Sequence, residues 1–144
     1  MKKKRLVFIV TYKSSKKIYD IFNKISKIKN FKFYDIYISD DNSPDDTIDY
    51  LKKIKKKNVK ISYNKRNLGY GANIKKCLGY AIKKKFDYAI MIHGDDQYDA
   101  RYIPSIVKNL KENTIDIVTG SRMIKKKDAL KGGMPLYKFI GNIV

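Results

Sequence analysis

Apolar residues in this chain come as short continuous runs, separated by stretches in which they recur every three or four positions. "RLVFIVT" (5–11) is a continuous run, the pattern of a parallel strand covered on both faces. Residues 15–29 then place Ile18, Ile21, Phe22, Ile25 and Ile28 at helical spacing. "YDIYIS" (34–39) predicts a second strand and "SPDDTIDYLKKIKKK" (43–57) a second helix. In that helix Ser43 is the expected cap, Pro44 the first helical residue, and Asp45 and Asp46 the acidic partners of its positive end. "VKISY" (59–63) is a third strand, "NKRNLGYGAN" a loop into a helix over about 71–85, and "DYAIMI" (87–92) a fourth strand. A helix over about 102–112, a fifth strand "IDIVTG" (115–120) and a helix after Pro135 complete the pattern. Strands alternating with helices predict an α/β fold with a mainly parallel sheet.

Composition narrows the picture without naming a task. The length, 144 residues, suits a single domain over 1–144 with one core. No apolar run is long enough for a transmembrane helix, and the run after the basic start is too short for a signal peptide. Cys77 is the only cysteine, which excludes an internal disulfide and fits a reducing, cytoplasmic location. Its helical neighbours Ile74, Leu78 and Ala81 point to core packing rather than reactivity. The formal charge of +19 is nearly all lysine. It reads first as a solvated bias and second as attraction to anionic lipid or phosphate, including peripheral attachment to the cytoplasmic membrane face. Base readout calls for arginine forks and stacking aromatics in a recognisable module, and none is present, so no nucleic-acid partner is expected.

The chemistry-bearing residues gather after the strands. Thr11 and Tyr12 follow the first, Asp40 and Asp41 the second, Asn64 to Gly71 the third, His93 to Asp99 the fourth, and Gly120 to Arg122 the fifth. Open α/β sheets bind ligands beyond the carboxyl ends of their strands. Asp95, with Gln97 beside it, is the best metal-ligand candidate, and carboxylate and amide oxygens suit Mg2+ or Mn2+. In an extended segment 93, 95 and 97 project together, which makes His93 a third ligand or a nucleotide contact. Asp40 and Asp41 repel each other unless something binds them. Base N–H groups and ribose hydroxyls are suitable donors, while an Asx-type turn by Asp41 into the helix at Pro44 is the structural alternative. Gly69 and Gly71 permit close backbone approach, but neither a phosphate-binding GKS/GKT nor a dinucleotide fingerprint is present. Ser121 and Arg122 can meet an anion, and Asp99 can cap the helix that follows it.

Taken in order, "VTYKSSKKI", "ISDDNSPDDT", "NKRNLGYGANIKKCLGYA", "MIHGDDQYDA", "GSRM" and "KGGMPLYKFIGN" resemble the family 2 glycosyltransferases, in particular their dolichyl-phosphate mannose synthase-like, polyprenyl-phosphate branch. The resemblance covers nearly the whole chain. It implies a GT-A (Rossmann-like) three-layer fold that binds a nucleoside-diphosphate sugar, UDP- or GDP-linked, and inverts the anomeric centre. It further implies a divalent cation, Mg2+ or Mn2+, and a place in cell-envelope glycan assembly. Carried over by position, Asp40 and Asp41 are the nucleotide pair. Thr11, Tyr12, Asn67, Gly69, Gly71, His93 and Gly94 are further nucleotide contacts. Asp95 is the second acid of the metal motif and a catalytic residue, Gln97 is its downstream partner, and Ser121 and Arg122 are acceptor contacts, Arg122 also catalytic. His93 stands where the family's first acid usually is. The family's acceptor-side region begins at about 123 and continues well past Val144, so the chain reads as truncated there. That leaves two options, a piece of a catalytic domain or an acceptor that needs no base. A polyprenyl phosphate at the membrane surface meets the second, because it is already ionised. The rival readings are a non-catalytic nucleotide-sugar-binding domain and a basic peripheral membrane or nucleic-acid-binding protein. A homo-oligomer is left open.

Overall fold

The computed structural model describes residues 3–112, 115–121, 129–130 and 133–143. The chain divides into two units, Met1–Val107 and Lys108–Val144.

In the first unit the strands are β1 (Arg5–Thr11), β2 (Tyr34–Asp40), β3 (Val59–Tyr63) and β4 (Tyr88–His93). They pair in the order β3-β2-β1-β4, and every pairing is parallel. The helices are α1 (Ser15–Ser26), α2 (Thr47–Lys52), α3 (Tyr70–Lys83) and the start of α4 (Ile103–Glu112). Alternation along β1 decides what lies on each face. Val7 and Ile9 join Ile36, Ile38, Ile90 and Ile92 under Ile18, Ile21, Phe22 and Ile25 of α1, Leu51 of α2, and Ile103 and Val107 of α4. Leu6, Phe8 and Val10 turn the other way, with Tyr37, onto Cys77 and Ala81 of α3. The result is three layers with the sheet in the middle. Each fully buried Ile or Leu adds roughly 1.5–3 kcal/mol of hydrophobic stabilisation.

The order of the strands places the site. The chain moves outward from β1 to β2 to β3, then returns to the opposite side of β1 as β4. That reversal makes the carboxyl end of β1 the topological switch point. Register keeps the strand exits level, with Val10 opposite both Ser39 and His93, and Thr11 opposite Asp40. Single backbone bonds carry the ladders one step past the strands, from Asp41 N to Thr11 O and from Gly94 N to Val10 O, both 2.9 Å.

Three expectations need correction. The helix expected from Ser43 begins only at Thr47 and ends at Lys52, so Lys55 to Lys57 lie beyond it. Ser43 is drawn into bonds with Asp40 and Lys13 and caps nothing. Leu78 is exposed although Cys77 and Ala81 on the same helix are buried. The fifth strand is not formed. Residues 115–121 carry no regular structure, and Ile117 is 77% exposed. A strand exists by its ladder, and no described residue forms one with this segment.

In the second unit, α4 ends at Glu112 and a helix α5 runs from Leu136 to Gly141. A turn precedes α5, with Gly133 at φ +83°, its N–H on Leu130 O, and Met134 N on Ala129 O. Among the described residues no helix is long and apolar enough to cross a membrane.

Candidate functional site

A cleft of about 400 Å³ opens at the switch point, walled by the exits of β1, β2 and β4 and the loop before α3. The β1 exit is held from below by the segment after β2. Lys13 N donates to Ser43 Oγ at 2.9 Å, and Ser14 N and Ser15 N donate to Thr47 Oγ1 at 2.9 and 2.8 Å. Lys13 and Ser15 both sit at positive φ, 51° and 42°, a conformation that these bonds enforce. Ser15 Oγ also donates to Asp45 Oδ2 at 2.9 Å. Burial works to raise the Asp45 carboxyl, but the bonds from Thr47 and Ser15 outweigh it and hold the group below its ordinary value. Ser43, Asp45 and Thr47 therefore brace a neighbouring loop, a role that reading them as a helix cap missed.

The two aspartates after β2 separate. Asp40 is 0% exposed, with Oδ2 accepting from Ser43 N at 3.0 Å and Oδ1 from Ser43 Oγ at 2.5 Å. It closes the turn after β2, the job expected of Asp41, and it does not line the cleft. Asp41 does line it, although only 3% exposed. Its Oδ1 accepts from Asn64 Nδ2 at 2.7 Å and Leu68 N at 2.9 Å, and its Oδ2 from Gly69 N at 2.9 Å. Asn64 is set in turn by Lys76, whose Nζ donates to Asn64 Oδ1 at 2.5 Å and so turns the amide nitrogen toward Asp41.

The loop before α3 lends Asn67, Gly69 and Tyr70 to the wall. Gly69 takes φ +83° and ψ 157°, a region open essentially to glycine alone. Gly71 is different: it lies inside α3, off the cleft, and a Cβ there would meet nothing within 4 Å. Asn73, 2% exposed, is a cleft residue that the sequence reading missed. Its Nδ2 donates to Ser39 O and its Oδ1 accepts from Ser39 Oγ. Its signal was available: 73, 77 and 81 form the buried stripe of α3, and an asparagine in such a stripe implies polar neighbours.

At the β4 exit Gly94 is forced by crowding. A Cβ there would lie 2.6 Å from Thr11 Oγ1 and 2.9 Å from Ser14 Oγ. His93 and Asp95 both line the cleft with Thr11 and Tyr12. The His93 Nε2 lies 2.8 Å from the Tyr70 hydroxyl, and the ring meets Tyr70 and Tyr98 edge-on at 5.2 and 4.6 Å. Burial, with Tyr98 and Asp95 adding to it, pushes the Tyr70 phenol up, so it keeps its proton and is placed to donate to Nε2. His93 engages Tyr70 through Nε2, one of the two ring nitrogens able to ligate a metal. The extended 93–95–97 alternation ends with the strand. Residues 94–95 turn, Asp96 takes φ +65° and pairs with Lys24 at 2.5 Å, and Gln97 does not reach the cleft wall. Asp99 takes the capping role expected of it, accepting from Arg101 N at 2.9 Å.

Among the described residues no three His, Cys, Asp or Glu side chains gather into a metal cage. Asp95 is exposed at the cleft, with Oδ1 accepting only the long 3.2 Å bond from Gln97 N. One open carboxylate suits a hard cation that takes the rest of its shell from phosphate oxygens and water. Ser121 belongs to the second unit, and Arg122 lies outside the described residues.

Residues 6–139 match the sequence family described as Glycosyl transferase family 2. The chain belongs to that family. The α/β layers and parallel sheet are those of the GT-A fold, and solved structures agree. Mannosyltransferase PcManGT from Pyrobaculum calidifontis, in complex with GDP-Man and Mn2+, aligns with TM-score 0.67 and 16% identity over 80% of this chain and 34% of its own. S. aureus TarS 1-349 in complex with UDP aligns with TM-score 0.63 and 21% identity over 85% of this chain and 39% of its own. The uncharacterized protein MJ0544 of Methanocaldococcus jannaschii is 28% identical over 141 residues, 95% of this family 2 chain. The chain spans 57% of that relative's length.

Proposed function

We propose that this chain transfers a sugar from a nucleoside-diphosphate sugar to a polyprenyl phosphate, with inversion at the anomeric carbon. The observation that carries the reading is the convergence of Asp41 and Asp95, from opposite flanks of β1, on one cleft at the switch point. Membership of glycosyl transferase family 2 supports the reaction class. Neighbours crystallised with GDP-Man and Mn2+ or with UDP support a nucleotide-sugar donor and a divalent cation.

Asp41 receives the nucleoside, held rigid by its bonds to Asn64, Leu68 and Gly69. Thr11, Tyr12, Asn67 and His93 line the space beside it. Asp95 is the residue that would hold Mg2+ or Mn2+ against the diphosphate, and such a cation supplies charge neutralisation of the leaving group. The acceptor phosphate attacks the anomeric carbon from the face opposite the diphosphate. A phosphate monoester is largely ionised at neutral pH, with a second pKa of about 6, so no general base has to remove its proton. That suits a cleft in which Asp95 is the one exposed carboxylate among the described residues. The lysine-rich surface, +19 overall, favours approach to an anionic membrane face.

The test is transfer from UDP- and GDP-sugars to a polyprenyl phosphate in vesicles, with Mn2+ or EDTA, for the native chain and Asp95→Ala. Lipid-linked sugar is expected only with the native chain and metal, with a loss on the order of 100-fold in Asp95→Ala. Transfer that ignores both Asp95 and EDTA would overturn the metal role. Donor binding without turnover would make this a nucleotide-sugar-binding domain.

A further inference from the structure

The neighbours include one bound to GDP-Man and one bound to UDP, so the fold leaves the nucleobase open. Asp41 narrows it. An ionised carboxylate offers about four acceptor positions, two on each oxygen. In Asp41 three are already taken by the protein: two on Oδ1, by Asn64 Nδ2 and Leu68 N, and one on Oδ2, by Gly69 N. Gly69 N is shared with Asn67 Oδ1, also at 2.9 Å, but Oδ1 stays filled by Leu68 N and by Asn64, which is 8% exposed and fixed by Lys76. One position on Oδ2 stays open beside Gly69 N, and Asp41 lines the cleft.

The bases differ in what they bring to a single position. Uracil and thymine present one ring N–H, at N3. Guanine presents two adjacent donors, N1–H and the 2-amino group, which call for both oxygens of a carboxylate. With Oδ1 full, the second guanine donor would be desolvated without a partner, a cost that alone lowers affinity about tenfold or more. Cytosine and adenine set a ring-nitrogen lone pair beside their amino donor, and that lone pair would face the carboxylate. From this occupancy we infer that the site selects a uracil or thymine nucleotide and rejects guanine, with the single open position on Asp41 Oδ2 receiving N3–H.

This inference rests on the proposed nucleotide-sugar reading, and the experiment separates the two. The native chain is titrated calorimetrically with UDP, TDP, GDP, ADP, CDP and N3-methyl-UDP in one Mg2+ buffer. UDP and TDP are expected to bind at least about tenfold more tightly than the other three, and N3-methylation is expected to remove that advantage. GDP binding as tightly as UDP would overturn the base assignment while leaving the nucleotide reading intact. N3-methyl-UDP binding as tightly as UDP would likewise overturn it. Failure of every nucleotide to bind would overturn both.

Discussion

Two Asp-Asp pairs end two strands of this sheet, and they are built in opposite ways. After β2, Asp40 and Asp41 are both buried, at 0% and 3% exposure, and every oxygen accepts at least one hydrogen bond from the protein. After β4, Asp95 and Asp96 are both exposed. In each pair only one member lines the cleft, the second of the first pair and the first of the second. The other is engaged by the protein, Asp40 by Ser43 of its own loop and Asp96 by Lys24 of α1. A dipeptide therefore assigns nothing by itself. On the proposed reading, the buried pair supplies a rigid acceptor for a ligand's N–H, whereas the open pair leaves a carboxylate with room for a cation and water.

The comparison is broken most decisively by removing Asp41. Asp41→Ala takes the acceptor from Leu68 N and leaves Gly69 N with only Asn67 Oδ1 and Asn64 Nδ2 with only the long 3.4 Å contact to Asn73 Oδ1. A lost bond to a charged group costs about 1.5–3 kcal/mol, most of it here at the buried Asn64 and less at the exposed Leu68 and Gly69, so denaturant unfolding should show a loss of about 3 kcal/mol together with loss of nucleotide binding. Asp95→Ala removes no such support and should leave stability within about 0.5 kcal/mol. Equal stability losses in the two variants would mean that the buried and open pairs do not differ as described.

The next effect tests how tightly the open exit is packed against β1. In Gly94→Ala the new methyl would lie 2.6–2.9 Å from the Thr11 and Ser14 side chains. Thr11 is buried and its hydroxyl already bonds Ser14 Oγ at 2.6 Å, so neither side chain has an easy retreat. A loss of about 1–3 kcal/mol is expected, with nucleotide affinity falling as Thr11 is displaced. An unchanged melting temperature would show that the two exits are not in contact.

The same contrast marks what could be read from the chain before its fold. β1 was legible as a continuous apolar run buried on both faces, the edge strands β3 and β4 as apolar segments only partly buried, and the cleft's location followed from where those segments stop. The division of labour within each pair was not. Whether Asp40 or Asp41 faces the cleft depends on Ser43 lying within reach of Asp40, and Ser43 had a plausible local use as a cap. Gln97 failed as a cleft residue because the period-two argument was carried past the end of β4, where Asp96 turns left-handed. Asn73 was missed because a polar residue in a helix was read only against its apolar face, and Tyr70 because the loop before the helix was read for its glycines. The fifth strand had the right composition, but a run of apolar residues cannot announce whether an edge receives it.

The smallest effect concerns Asp96, and it sharpens the comparison most because Asp95 and Asp96 are adjacent and both exposed. Asp96 sits at φ +65°, a region in which Asn and Asp are the best tolerated residues with a side chain. Asp96→Asn therefore keeps the backbone while deleting the charge. What is lost is the pair with Lys24, whose side chains are 49% and 33% exposed for Lys24 and Asp96. Exposed pairs of this kind contribute about 0.5 kcal/mol and weaken with salt. Asp96→Ala loses the same pair and also meets the left-handed backbone with a less tolerant residue, adding about 1 kcal/mol. The expected order in denaturant unfolding is native, then Asn, then Ala, and all three should bind nucleotide and metal alike. If Asp96→Asn abolished metal-dependent binding while Asp95→Ala did not, the cation would belong to Asp96, and the open pair would work in the reverse sense.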